Sequence, residues 1–211
     1  MCASPPSTST SASASAVCRI RFASPATADR LHITYGGKAK DLQNIDPITR
    51  AILMGFLSRA SVKDLNNVNV RSIASTLGLA VEEKRSNEPV TFNEWLHVQA
   101  SFAGMKVVSA GGTFFGSPDN PRIVRVFSQP TEIVPSGVVL LLRNKDRPGI
   151  VGYLGTLMGK YNLNIASMSL SRDTVGGQAL TVLNLDSVPP PELLDEIQRD
   201  PDITNVKVVK L

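Results

Sequence analysis

The sequence predicts an α+β protein of two small domains, the second a βαββαβ unit. Three observations carry this. Short runs alternate apolar with polar residues, the period of strands with one buried face. Between them stand stretches whose apolar residues recur every three or four positions, the period of an amphipathic helix. The texture then changes at Pro135-Ser136-Gly137, before which strands and turns crowd together and after which strands and helices follow a regular order. A chain of 211 residues has room for two cores of this size. The expected organisation is a tail over 1–29, a first domain over 30–135 and a second over 136–211.

The first domain opens on "RLHITYGG", where Leu31, Ile33 and Tyr35 alternate with polar residues as in a strand. "DPITRAILMGFLSRA" follows as a helix. Asp46 suits its cap and Pro47 its first position, and Ile48, Ile52, Leu53, Phe56 and Leu57 form its apolar stripe. "NVRSIASTLG" is a second helix, with Val70, Ile73, Ala74 and Leu77 on one face and Gly78 as its stop. Four strand-like runs come next: "VEEKRS", "EWLHVQASF", "KVVSAGGTFFG" and "RIVRVFS". Turn signals at Asn87-Glu88-Pro89, Gly104 and "GSPDNP" separate them at hairpin spacing. One sheet with two helices on a face is the expected arrangement.

In the second domain Val138–Leu142 reads as a strand and 148–161 as a helix with Ile150, Leu154, Leu157, Met158 and Tyr161 inward. Ile165–Leu170 is a strand, "SRDTVGG" a turn and Gln178–Leu185 a strand. A short helix after the three prolines turns Leu193, Leu194 and Ile197 inward, and Thr204–Val209 closes the set. This βαββαβ order is the ferredoxin-like arrangement.

Composition narrows the function. Net charge is +4, and Arg19 and Arg21 account for half of it. Without a basic patch interleaved with aromatics, nucleic acid is not an expected partner. Cys2 and Cys18 both lie in the tail, and His32 and His97 are the only histidines, so neither a disulfide framework nor a metal site is expected. No apolar run approaches the ~20 residues of a membrane span. Residues 1–28 hold seven Ser, seven Ala and no acid. Such a segment cannot offset its ordering entropy. It has the Ser-rich, acid-poor look of an organelle transit peptide, which would place the protein in a plastid or another organelle; a plain disordered tail would leave it cytoplasmic.

The stretch "RNKDRPGIVGYLGTLMGKYNLNIASMSL" concentrates the chemistry. Asp146 sits where a strand hands over to a helix and can cap it, near the positive end of the dipole. Gly149 permits close approach to the first turn. Asn144 lies two residues earlier, so on extended backbone both side chains point the same way. Asn164 begins the neighbouring strand and can reach the same place. Together they offer a carboxylate for an ammonium group, amide donors for a carboxylate and acceptors for a hydroxyl, the needs of a small amino acid. The same residues also suit a cap and two turns with no ligand.

This stretch closely resembles an ACT domain, the amino-acid-sensing βαββαβ module. Its "DRPG" and "NLNIASM" resemble the form found at the C-terminus of the D-3-phosphoglycerate dehydrogenase family. Upstream, "LHITYGG", the helix after it and "GGTFFG" with "RIVRV" resemble that family's allosteric substrate-binding (ASB) domain. The resemblance implies L-serine bound between two ACT domains paired side by side in a homodimer. The matching effector positions are Asn144, Asp146 and Asn164, with Gly149 beside them. In the ASB-like domain it implies a basic pocket for phosphate or a phosphorylated hydroxy acid. Arg122 matches one such position, and Val134 stands where a second arginine is expected. Lys84, Arg85 and Arg125 are the basic residues available to compensate.

The dehydrogenase chemistry of that family needs a GxGxxG loop between a strand and a helix, and an Arg-Glu-His group. "GIVGYLG" has the wrong glycine spacing and "GGTFFG" is a hairpin. No catalytic residues and no cofactor are therefore expected in this chain, since NAD belongs to the catalytic domain. The leading expectation is a serine-sensing regulatory region that is not an enzyme by itself. The rivals are the β subunit of an iron–sulfur L-serine dehydratase, whose serine- and histidine-rich SSSHT signature is absent, and another ACT-type amino-acid-binding protein.

Overall fold

The computed structural model describes residues 28–58, 64–88, 94–102, 106–115 and 120–211. Residues 1–27 of the Ser/Ala-rich tail and the turn residues Pro89, Gly104 and 116–119 lie outside them, while Ala28 and Asp29, expected in the tail, open the first strand. The chain divides into two compact units, one ending at Ser128 and the other beginning at Gln129.

The first unit contains β1 (Ala28–Gly37), α1 (Asp46–Leu57), α2 (Val70–Thr76), β2 (Ala80–Arg85), β3 (Glu94–Phe102), β4 (Lys106–Phe114) and β5 (Pro121–Val126). These strands follow the order β2-β1-β3-β4-β5. β1 and β2 are parallel, which demands a crossover rather than a hairpin, and α1 and α2 supply it. Leu31, Ile33 and Tyr35 are fully buried, as their alternation requires. Ile48, Ile52, Leu53, Phe56 and Leu57 bury the stripe of α1.

Two local expectations are corrected. Asp46 does not cap α1. Ile45 holds the cap position and no side chain caps the helix, while Asp46 is its first residue. Its carboxylate accepts instead from Nε of Arg50 and Nε of Arg71. Leu77 does not join the buried face of α2. The helix ends at Thr76 and Gly78 turns the chain at φ 73°, leaving Leu77 48% exposed.

Asp46 belongs to a polar network that ties the helices to the sheet. Arg71 bridges from Asp46 to Oε1 of Glu83 on β2, at 2.9 Å from its Nη2. The fully buried Thr49 donates its hydroxyl to the same Glu83 oxygen. Its single proton is thereby used, so the Tyr35 hydroxyl, 2.7 Å away, donates to Thr49.

The second unit begins with β6 (Gln129–Ile133), a strand that the sequence patterns did not single out. The βαββαβ order follows as expected: β7 (Val138–Lys145), α3 (Ile150–Lys160), β8 (Ile165–Arg172), β9 (Gln178–Leu185), α4 (Pro191–Gln198) and β10 (Ile203–Lys210). The sheet runs β10-β7-β9-β8 with every neighbour antiparallel. Leu154, Leu157, Met158, Leu193 and Ile197 from the helices pack on Leu140, Leu142 and Leu183 of the sheet. Glu196 of α4 joins the helices by accepting from Lys160 Nζ and the Tyr161 hydroxyl, both at 2.8 Å. On the other face, Thr131 of β6 lies 3.2 Å from Ser169 Oγ, and Asn184 donates to the Val134 carbonyl at 2.9 Å.

Thr49→Val should expose the value of the first unit's network. It keeps the shape but leaves the Tyr35 hydroxyl and Glu83 short of a partner. The expected loss is about 1–3 kcal/mol, read as a lower urea midpoint with an unchanged slope.

Candidate functional site

The corner between β7 and α3 is held by backbone and charge together. β7 runs to Lys145, three residues beyond the apolar run, because Asn144 and Lys145 still pair with Ala179 and Gln178 of β9. The Lys145 N–H then donates to the Asp202 carbonyl at 2.9 Å, and the Asp146 N–H to the Gly177 carbonyl at 2.8 Å. Arg147 faces the turn before β10, where its guanidinium pairs with Asp200 and, at 2.9 Å, with Asp202. Gly149 takes the cap position of α3 at φ 87°. That left-handed conformation favours glycine, and beyond its chain neighbours and the helix's own first turn no atom stands within 4 Å of where a Cβ would be. Space beside the first turn is therefore open.

Asp146 does not cap α3; Gly149 holds that place without any side-chain bond. The carboxylate turns instead toward the β8–β9 turn. Oδ2 accepts from the Gly176 N–H at 3.1 Å and from Arg172 Nη1 at 2.9 Å. Both favour the ionised form, so the carboxyl lies below its usual range, the Gly176 N–H contributing most and Arg172 next. Both bonds fall on one oxygen, which leaves Oδ1 as an acceptor for an incoming cation.

The two asparagines stand elsewhere. Asn144 is fully buried on the helix-facing side of β7, where its Oδ1 accepts from Thr181 at 2.8 Å and its Nδ2 donates to the Lys145 carbonyl. Asn164 lies just before β8, and its Nδ2 donates to Asp186 at 2.8 Å. Register decides its distance from Asp146. Ile165 pairs with Leu185 at one end of β9, and Arg172 with Ala179 near the other. An eight-residue strand therefore separates Asn164 from the Asp146 corner, about 25 Å along the sheet. One copy of the chain does not bring the trio together.

Arg172, Gly176 and Arg147 were not singled out from the sequence as site residues. Arg172 and Gly176 sit in a turn-like "SRDTVGG", whose only readable signal is its glycines.

The basic residues of the first unit are likewise dispersed. Arg122 Nη1 donates to Asn120 Oδ1 and to the Pro121 carbonyl, and its guanidinium lies 5.8 Å from the Phe115 ring centre. Arg85 donates to the Lys40 carbonyl. Lys84 and Arg85 are successive strand residues and so take opposite faces. Lys84 and Arg125 share a face through the row Lys84, Thr34, His97, Gly111 and Arg125. Four strand spacings, about 19 Å, separate their backbones.

Residues 23–127 match the D-3-phosphoglycerate dehydrogenase intervening domain, and residues 138–202 match the ACT domain. The chain belongs to the D-3-phosphoglycerate dehydrogenase family, as its C-terminal regulatory region. It is 33% identical over 183 residues to the D-3-phosphoglycerate dehydrogenase of Synechocystis, covering 87% of this chain and 33% of that one. Identity to the Methanocaldococcus jannaschii D-3-phosphoglycerate dehydrogenase is 31%, over 87% of this chain and 34% of the relative. The Bacillus subtilis protein is 28% identical over 85% of this chain and 34% of its own length. The chain thus spans about a third of the length of these relatives. Within the family assignment, the Asp146 corner lies in the ACT match and the Arg122, Arg125, Lys84 and Arg85 set in the intervening-domain match.

The lowered pKa of Asp146 makes a testable statement. A carboxyl depressed in the folded state contributes stability that is present above its unfolded value, 3.8, and is lost as pH falls through the lower folded value. Carboxyl NMR titration should place the Asp146 midpoint below that of an ordinary aspartate. Arg172→Ala should raise it only part of the way, because the Gly176 N–H remains.

Proposed function

We propose that this chain is the serine-sensing regulatory region of a D-3-phosphoglycerate dehydrogenase, a homodimer through its ACT domains that binds L-serine between two copies. The observation that carries this reading is the placement of Asp146 and Asn164 at opposite ends of β8. β8 is an edge strand, and edge strands offer unpaired backbone groups to another chain. If two copies pair β8 with β8 antiparallel about a two-fold axis near Met168–Ser169, Ile165 of one faces Arg172 of the other. Asn164 of the partner subunit then arrives at the Asp146 corner. The pairing that satisfies the edge also completes the site.

In this arrangement the ligand ammonium sits against Asp146 Oδ1, and Asn164 of the partner subunit supplies an amide to the remaining polar groups. Gly149 leaves room for the ligand beside the first turn of α3. Asn144 supports the corner from beneath, since both its polar atoms are already bonded. Hydride chemistry and NAD binding belong to a catalytic domain outside this sequence, so purified chain should give no phosphoglycerate-dependent NAD reduction. In the intervening domain, Arg122 remains the residue offered to phosphate or a phosphorylated hydroxy acid.

Two measurements test this. Light scattering should give a dimer mass at micromolar concentrations; a monomer mass would contradict it. Calorimetry should show L-serine binding, weakened roughly ten- to hundredfold by Asp146→Ala through loss of a charged hydrogen-bond partner, and less by Asn164→Ala. Equal binding to wild type and Asp146→Ala, or binding of a different amino acid alone, would overturn the assignment.

A further inference from the structure

We propose that Arg172 receives the α-carboxylate of the effector, so that the Asp146–Arg172 pair reads both charges of a zwitterionic amino acid. This rests on the serine reading above and adds a residue to it. Neither asparagine carries a charge, and each amide nitrogen already spends one of its two N–H groups. Asn144 is buried and its Nδ2 serves the Lys145 carbonyl, and the Nδ2 of Asn164 already contacts Asp186. A full negative charge at this corner calls for a cationic donor, which the trio lacks.

Arg172 is placed to provide it. It is the last residue of β8, its side chain is 52% exposed, and it touches Asp146 through Nη1 alone. Among the described residues its Nε and Nη2 have no partner. A guanidinium presents five donors in a planar fork that matches a carboxylate in bidentate fashion. With one arm held by Asp146, the fork is oriented before the ligand arrives, which lowers the ordering cost of binding. The ammonium and carboxylate of an α-amino acid hang from one carbon, so neighbouring acceptor and donor groups can engage both at once. Asp146 Oδ1 and the unused edge of Arg172 are such neighbours. The two-fold pairing of β8 adds the third element, because it sets Asn164 of the partner subunit next to Arg172. The chemistry selected is a free amino acid, not an amine or a carboxylic acid alone.

The test compares two ligands on one protein, so that a general loss of affinity does not imitate the result. L-serine and L-serinamide, which lacks the carboxylate, are titrated by calorimetry into wild type, Arg172→Ala and Arg172→Lys of the full chain. Wild type should prefer serine over serinamide by about tenfold or more. Arg172→Ala should lose that preference, and Arg172→Lys should keep part of it. If Arg172→Ala binds neither ligand measurably, Arg172→Lys decides: a retained preference supports the assignment and its loss overturns it. An Arg172→Ala protein that still prefers serine as wild type does would show that the carboxylate is held elsewhere, leaving the serine site standing. Wild type that binds no serine would overturn both.

Discussion

The antiparallel pairing of β8 with β9 is the constraint on which the functional reading depends. It fixes where each end of β8 lies, and therefore how far Asn164 stands from Asp146. With Ile165 opposite Leu185 and Arg172 opposite Ala179, the two cannot meet within one chain. The sheet order makes β8 an edge, and an edge strand is where a second copy can add. Under the proposed β8–β8 pairing, distance and edge together would turn a scattered set of residues into the two halves of one shared site. Serine sensing and dimerisation would then be a single structural event, since in the proposed dimer the pocket forms only where the two edges join.

The corner itself is prepared by contacts that a ligand does not have to create. Arg147 pins the loop after Asp146 to the turn carrying Asp200 and Asp202. The Gly176 N–H and Arg172 keep Asp146 ionised and aimed at the β8–β9 turn. Gly149 starts the helix in a conformation that leaves open space where a side chain would begin. Fixing these groups in advance reduces the ordering cost of binding. In the first unit, the link from Tyr35 through Thr49 and Glu83 to Arg71 and Asp46 does comparable work for the fold, tying the helical crossover to the parallel pair β1 and β2.

Much of this architecture was legible in the sequence because hydrophobic period reports burial directly. Leu31, Ile33 and Tyr35, the stripe of α1 and the βαββαβ order all follow from spacing alone. Asp146 and Gly149 were legible as a strand-to-helix corner, because an acid, a proline and a glycine in succession mark such a junction. What was not legible depends on partners distant in sequence. Asp146 and Asp46 both look like caps, yet each is drawn off by an arginine that only tertiary structure brings near, Arg172 for one and Arg71 for the other, with Arg50 one helical turn on adding to the second. Asn144 looks available because strand alternation says nothing about which face is covered, and Thr181, diagonally across on β9, takes its Oδ1. The separation of Asn164 from the corner depends on strand register, which pattern alone does not set. β6 is short and partly polar, "QPTEI", and gives no strong period.

The shared site is tested most directly by mixing two defective chains. Asp146→Ala and Asn164→Ala proteins are each titrated alone with L-serine, then mixed, allowed to exchange subunits and titrated again. In a mixed dimer the intact Asp146 of one copy faces the intact Asn164 of the other, so one of the two sites is whole. The account predicts weak binding to each variant alone and the reappearance of a wild-type-affinity class in the mixture, one site per mixed dimer. A mixture that exchanges subunits but binds only as weakly as its components would contradict it.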